Sequence, residues 1–511
     1  MIIGNEQIAD FNDPKKVVRS NTNLIVFPAK AILSKAEQTI VIKWNYPINI
    51  GSQIRTGAVD ESSFFIAYSF PRIAVYDDIN GWDTWSYKGT QEFYNDFGDF
   101  EVEINVPQNN VVWATGELQN AAENLSGVVL DKLKQAKSTH NNIHIIDSTD
   151  YRKNNVFAAN PTGNWRFKAL NVTDFAFALS DHYLWDASSV LVDSVTGRRS
   201  MVHTAYNKTH RDYFEVQEIA NKSVELMSHV YPKVPFPYPQ ITIIDGTDQM
   251  EYPMMVNDNP THSRKDAVQL TTHEIFHTYF PFYMGINETQ YAWMDEGWAT
   301  IGESVLSPIM GEPEDDGIYS RVRYERISGT DEDMPLIVNT KSYDGFAYVT
   351  NSYGKSALCY HILQDMLGDK LFFKALHQYM NDWNGKHPIP YDFFYSFNAA
   401  AGKNLNWFWK AWFFDWVYPD LAIKKVADIK GESVITIENK GGLPVPIYLT
   451  ITLENGKEVQ KYYSAEVWAN NDKEFLVKDK FGSKITKVVL VDIYTPDKFR
   501  QNNQWVVELD K

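Results

Sequence analysis

Cysteine is nearly absent from this 511-residue chain. The single Cys359 excludes an intramolecular disulfide and any metal site built on thiolates. No run of eighteen apolar residues occurs, so no membrane-spanning helix is expected. The start, Met1-Ile2-Ile3-Gly4-Asn5-Glu6, has neither a basic n-region nor an apolar h-region, and no signal peptide is visible. Positive charge is in deficit: Lys+Arg 48 against Asp+Glu 65 leaves −17. That balance argues against a nucleic-acid partner and suits ligands with a positive end. Repeats and low-complexity tracts are missing as well.

Aromatic residues, by contrast, make up 14% of the chain, enough to fill large cores in roughly two to four domains. The richest cluster, Trp407 to Trp416, reads as core rather than as a ligand platform, and Cys359 is expected to pack in a core too.

The most informative segment is His273-Glu274-Ile275-Phe276-His277, followed by Trp293-Met294-Asp295-Glu296-Gly297-Trp298. On a helix, His273 and His277 project from one face a turn apart, so both can bind one metal. Glu274 lies between them, placed to act as a base on water without being a ligand. Met284-Gly285-Ile286-Asn287 reads as the stop of that first helix, and Tyr291 to Val305 as a second that returns Glu296 as third ligand. With 12 histidines in the chain, two His plus the Glu arise by chance in roughly one such chain in a hundred. The competing reading is an ordinary helix with histidines facing core or solvent. A His/His/carboxylate set with an open fourth position favours one Zn2+ per chain. Glu303, two turns after Glu296 on the same face, is placed to accept the free ring N–H of a zinc histidine.

These motifs resemble the zinc aminopeptidases of the aminopeptidase N family, gluzincins marked by HExxH, eighteen residues and a Glu. Asp295-Glu296-Gly297-Trp298 stands where that family has an Asn-Glu-Gly-Phe-like stretch. Asp248-Gln249-Met250-Glu251-Tyr252, after the strand Ile241 to Ile244, is similar to the family's Gly-Ala-Met-Glu-Asn strand. The resemblance gives Glu251 the substrate's α-amine and Met250 a part of the same pocket, with Asp248 adding charge nearby. Tyr353-Gly354-Lys355 resembles the family's Tyr-x-Lys-Gly segment, opening a helix from Ser356 to Leu367. It implies that Tyr353 stabilises the oxyanion, with Tyr348 lining the site. The family's substrate-contacting Gln is replaced here by Tyr68-Ser69.

The resemblance implies a multidomain α+β fold in three parts. Residues 1–205 are expected as a partial β-saddle domain, entered partway with early strands missing. Its first strand pair would be Asn23 to Phe27 with Thr39 to Tyr46. Residues 206–420 are expected as a thermolysin-like, mainly helical zinc domain. Residues 421–511 turn to period two, with turns at Gly441-Gly442 and Asn455-Gly456, and read as a small β-sandwich. An upstream secretion signal would have gone with the missing strands, so localisation stays open between cytoplasmic and periplasmic or secreted. The acidic stretch Glu312 to Asp316 reads as a solvated loop. The implied activity is zinc-dependent hydrolysis of the amino-terminal residue from peptides with a free amino terminus. The alternative is a non-peptidase on the same fold, either epoxide-hydrolase-like or a non-catalytic binding protein. The sequence sets neither oligomeric state nor residue preference.

Overall fold

The computed structural model describes residues 1–312, 315–429, 431–490, 492 and 494–507, with backbone only for 315–318. Strands dominate before residue 206 and after residue 420, and helices dominate between, giving an α+β architecture. No helix among the described residues is long and apolar enough to cross a membrane. Pro313 and Glu314 of the acidic stretch lie outside the described residues, and a helix begins at Asp315.

The first strands pair differently from the sequence expectation. Asn23–Val26 closes onto Val17–Ser20 through a two-residue turn at Asn21-Thr22, where Asn21 takes φ +50°. Ile40–Val41 pairs instead with Ile2–Ile3. A local hairpin has the shorter loop to close, so it takes precedence over the longer-range pair.

A six-stranded mixed sheet positions the candidate site. Its strands are β1 (Ile143–Ile146), β2 (Leu184–Asp193), β3 (Arg198–Tyr206), β4 (Gln240–Asp245), β5 (Gln249–Tyr252) and β6 (Met255–Asp258), in the order β1-β2-β3-β4-β6-β5. The β4 run Ile-Thr-Ile-Ile is buried throughout, as a central strand covered on both faces must be. It lies parallel to β3, and helix α1 (Tyr213–His229) supplies the crossover that parallel neighbours require. β5 turns back on β6 through Pro253 and Met254, the latter at φ +63°, and ends the sheet as its edge strand.

Three further helices complete the surroundings: α2 (Arg264–Phe276), α3 (Glu296–Leu306) and α4 (Ser356–Leu367). Ser263 caps α2 by accepting from the Asp266 amide. Helices α2 and α3 approach closely at Gly302, where a methyl group would overlap the Phe276 ring. At Gly297 a methyl would meet Ser356 and Tyr360 of α4. Trp298 stacks on Tyr360 at 4.0 Å and on Phe280 at 5.2 Å, fixing α3 between its neighbours. Cys359 is buried here. Of the late aromatic cluster, Phe408, Trp409, Trp412 and Phe413 are buried, while Trp416 is exposed.

After residue 420 the chain forms two antiparallel sheets. One pairs Glu432–Asn439 with Leu421–Ile429 and Glu474–Asp479. The other pairs Ile447–Leu453 with Glu458–Tyr463 and Ile485–Leu490, the latter followed at the edge by Gln504–Val506. Ile447, Leu449, Ile451 and Leu453 alternate inward, and Gly456 at φ +81° makes the hairpin turn.

Candidate metal centre

Helix α2 ends sooner than the sequence suggests, at Phe276, with His277 as its C-cap. The chain then breaks at Phe280 (φ −134°, ψ 113°) within a wide turn, Thr278–Tyr283. Helix α3 begins later than Tyr291: Glu288–Tyr291 and Ala292–Met294 are separate short turns, and Asp295 (φ −108°, ψ −81°) interrupts them before Glu296. The interruption matters chemically. Adjacent residues of a regular helix point about 100° apart. Asp295 stands outside the helix, so its carboxylate can turn toward α2 while Glu296 also reaches it.

His273, His277 and Glu296 offer ligand atoms within 4.8 Å of one another. Nε2 of His273 lies 3.3 Å, and Nε2 of His277 3.5 Å, from Glu296 Oε2. Each histidine is held through its other nitrogen. His273 Nδ1 is 2.8 Å from Glu303 Oε2, and His277 Nδ1 is 2.7 Å from Asp295 Oδ1 and 3.0 Å from the Phe280 carbonyl. Both Nε2 atoms are thereby aimed at the same point.

Electrostatics sharpen the picture. Burial pushes His277 down to about 3, so its ring is the neutral imidazole a metal needs. Burial also opposes protonation of His273, but the Glu303 and Glu296 carboxylates overcome it and raise that ring well above the usual histidine value. Glu296 is lowered: burial opposes ionisation, and the two histidines and Tyr353 outweigh it. A site that holds a proton tightly between carboxylate and imidazole is one whose donors suit a cation. The buried Glu274 Oε2 has no hydrogen-bond partner, leaving an acceptor beside this point. Two neutralisable imidazoles with a carboxylate fit Zn2+.

Glu274 and Glu251 complete a second group with His277, their donor atoms also within 4.8 Å. Burial, reinforced by Glu296 and resisted by His273, pushes Glu274 up to about 7. Burial and the neighbouring Glu274, Glu296 and Asp295 drive Glu251 well above the carboxylate range. A cationic group entering there would relieve that crowding. Met250 precedes Glu251 in β5 and therefore projects to the opposite face of the sheet. Asp248 engages Arg55 at 3.4 Å and Asn257 Nδ2 at 3.3 Å, so its charge is already answered. Tyr68, at φ +49°, donates to Glu92, which Arg55 also binds.

Tyr353 donates to Glu296 Oε1 at 2.5 Å, and its ring stacks on His273 at 5.9 Å and 6°. It sits in a π-helical segment, Thr350–Lys355, leading into α4. Widening the helix there matters, because a π-turn brings residues five apart onto one side, whereas an α-helix would part them. Tyr348 accordingly packs edge-on to Tyr353, ring centres 6.1 Å apart. Lys355 pins the segment through Asp333 at 2.6 Å and the Met334 carbonyl at 2.6 Å.

The structure thus gathers His273, Glu274, His277, Glu296, Glu303, Glu251, Tyr353 and Tyr348 in one place. Sequence reasoning missed Asp295 as a histidine partner, although it adjoins Glu296, and missed Glu288 altogether. Glu288 carries no motif signal, since its partners lie about two hundred residues away.

Residues 218–412 match the Peptidase family M1 domain. The chain is similar to leucine aminopeptidase 2 of Aspergillus clavatus, 25% identical over 45% of this chain and 40% of that protein. Tricorn protease-interacting factor F2 of Thermoplasma volcanium is 23% identical over 56% of this chain and 40% of its own length. The chain therefore spans well under two thirds of these relatives. Among solved structures, Legionella pneumophila aminopeptidase A in complex with aspartic acid superposes with a TM-score of 0.57. The match is 14% identical and covers 84% of this chain and 47% of that one, a likeness of fold.

Proposed function

We propose that this chain, whose residues 218–412 match the Peptidase family M1 domain, is a zinc-dependent aminopeptidase acting on peptides with a free amino terminus. The observation that carries the reading is the convergence of His273, His277 and Glu296 on one point, with Glu274, Glu251 and Tyr353 around it. One zinc ion per chain, held by His273, His277 and Glu296, would supply Lewis acidity that lets water be deprotonated near neutral pH. Glu274 takes the proton of the attacking water and returns it to the leaving amine. Its carboxyl, pushed up to about 7, is suited to both halves of that exchange. Tyr353 is kept a phenol by burial and nearby carboxylates, and it donates to the developing oxyanion. Glu251 holds the α-ammonium, which restricts cleavage to the first residue. Glu303 and Asp295 orient the two imidazoles, and Tyr348 borders the site; Met250, expected from the resemblance in the amine pocket, faces the other side of the sheet from Glu251.

The same reading divides the chain into a partial β-saddle domain (1–205), a thermolysin-like zinc domain (206–420) and a β-sandwich (421–511). The first division falls at the last residue of β3, a strand hydrogen-bonded to β4 in the same sheet. Zinc-loaded protein should release residues stepwise from a peptide, and chelation should stop it. Glu274→Gln should keep its zinc and lose roughly 10²–10⁴-fold in kcat. Undiminished turnover by that variant would remove Glu274 from the mechanism and undercut the reading.

A further inference from the structure

Glu288 is buried, belongs to no recognisable motif, and is nonetheless fully engaged. Its Oε2 accepts from the backbone amides of Glu92 and Phe93, each at 2.8 Å, and the Glu288 amide donates back to the Phe93 carbonyl at 2.9 Å. Its Oε1 receives the Tyr348 hydroxyl at 3.1 Å, and that hydroxyl also lies 3.3 Å from the Thr90 carbonyl. Tyr348 in turn packs edge-on to Tyr353, because the π-helical segment turns both toward the same side. The side chain is therefore the joint between the Thr90–Phe93 segment of the strand-rich first half and Tyr348, the neighbour of the tyrosine that reaches Glu296.

A buried carboxyl is costly unless its oxygens are satisfied, and here every partner serves to fix one orientation. Burial, with Glu296 and Glu92 nearby, pushes Glu288 up to about 8, and the Phe93 and Glu92 amides work against that rise.

We propose that Glu288 is a positioning residue: by fixing Tyr348 against the Thr90–Phe93 segment, it holds the Tyr353 phenol in the orientation that serves the reacting carbonyl. The inference rests on the aminopeptidase reading for its catalytic consequence, but not for its geometry. Two readouts separate the two. The first is activity-independent: the 19F resonance of 3-fluorotyrosine placed at Tyr353, in otherwise native full-length protein. A single line is expected, shifted or broadened in Glu288→Ala and in Tyr348→Phe. It should be preserved in Glu288→Gln, whose amide can accept the two backbone N–H groups and still meet the Tyr348 oxygen. An unmoved line in folded Glu288→Ala would overturn the proposal whatever the protein catalyses.

The second readout is kinetic. Glu288→Ala and Tyr348→Phe should each lower kcat about tenfold with KM and zinc content nearly unchanged, because the lost contact acts in the transition state. Glu288→Gln should restore most of the rate. The double variant should be no worse than either single one, as two changes in one chain of contacts are not additive. Additive losses, or a rise in KM alone, would contradict the positioning role. Absence of peptidase activity in zinc-loaded wild type, with the 19F response intact, would instead count against the aminopeptidase reading and leave the joint standing.

Discussion

Two acids hold two histidines at this centre, and they reach them by different routes. Glu303 meets His273 from two turns along α3, a position that helix periodicity alone makes available. Asp295 meets His277 only because the backbone breaks before Glu296. Glu303→Ala should weaken zinc binding about 10–100-fold by freeing the His273 ring, readable by competition with a chromogenic chelator. Unchanged affinity would mean that the ring is held by packing alone. The grouping of His273, Glu274, His277 and Glu296 could be read because their relation is local: five consecutive residues carry three of the four. Asp295 and Glu288 were not, since what defines them is a backbone break in one case and a distant segment in the other.

A separate histidine sets a pH dependence of stability. His203, on β3, is buried and accepts from Trp185 Nε1 at 3.2 Å, so burial lowers it to about 4 from the usual 6.5. The folded form resists the proton that the unfolded chain takes up below pH 6.5. Stability is therefore full above that value and is lost as pH falls toward 4, by about 3 kcal/mol in all. His203→Gln, which can still accept from Trp185, should flatten denaturation midpoints across that window. A wild-type-like slope in the variant would assign the acid sensitivity to other groups.

At the scale of elements, the centre depends on how closely α2 and α3 approach. The histidines ride on one helix and Glu296 and Glu303 on the other, and Gly302 lets the second lie against Phe276. Gly302→Ala should push the pair apart, costing about 1–3 kcal/mol of stability and lowering zinc affinity together. Thermal unfolding with and without zinc reads both. A loss of stability with zinc affinity intact would show that the helices shift without opening the site. The helix Ser356–Leu367 could be read from its apolar stripe, and the late strands from their alternation. The wide turn after His277 and the π-helical segment before Ser356 could not. Both are departures from regular periodicity, which is what the sequence pattern reports. The early strand pairing was misread for a related reason: alternation identifies strands, but partner choice followed the two-residue turn at Asn21-Thr22.

In the molecule as a whole, the candidate centre sits where segments distant in sequence meet. Helix α2 lies against the edge strand that carries Glu251, and the Thr90–Phe93 segment of the first half is held to the Glu288–Tyr291 turn by the Glu288 carboxyl. A net charge of −17 agrees with a substrate that presents a positive end. The broad α+β architecture was open to reading because composition and periodicity change twice along the chain. The six-stranded sheet that spans the first change was not, because its strands come from both sides of it.

The most direct test is mass spectrometry of one peptide with a free amino terminus and its N-acetylated twin, incubated with zinc-loaded protein with and without chelator. Stepwise, chelator-sensitive shortening of the free peptide alone is the predicted result, since only that peptide offers Glu251 an ammonium group. Internal cleavage of both peptides, or of neither in folded protein shown to hold zinc, would contradict the account.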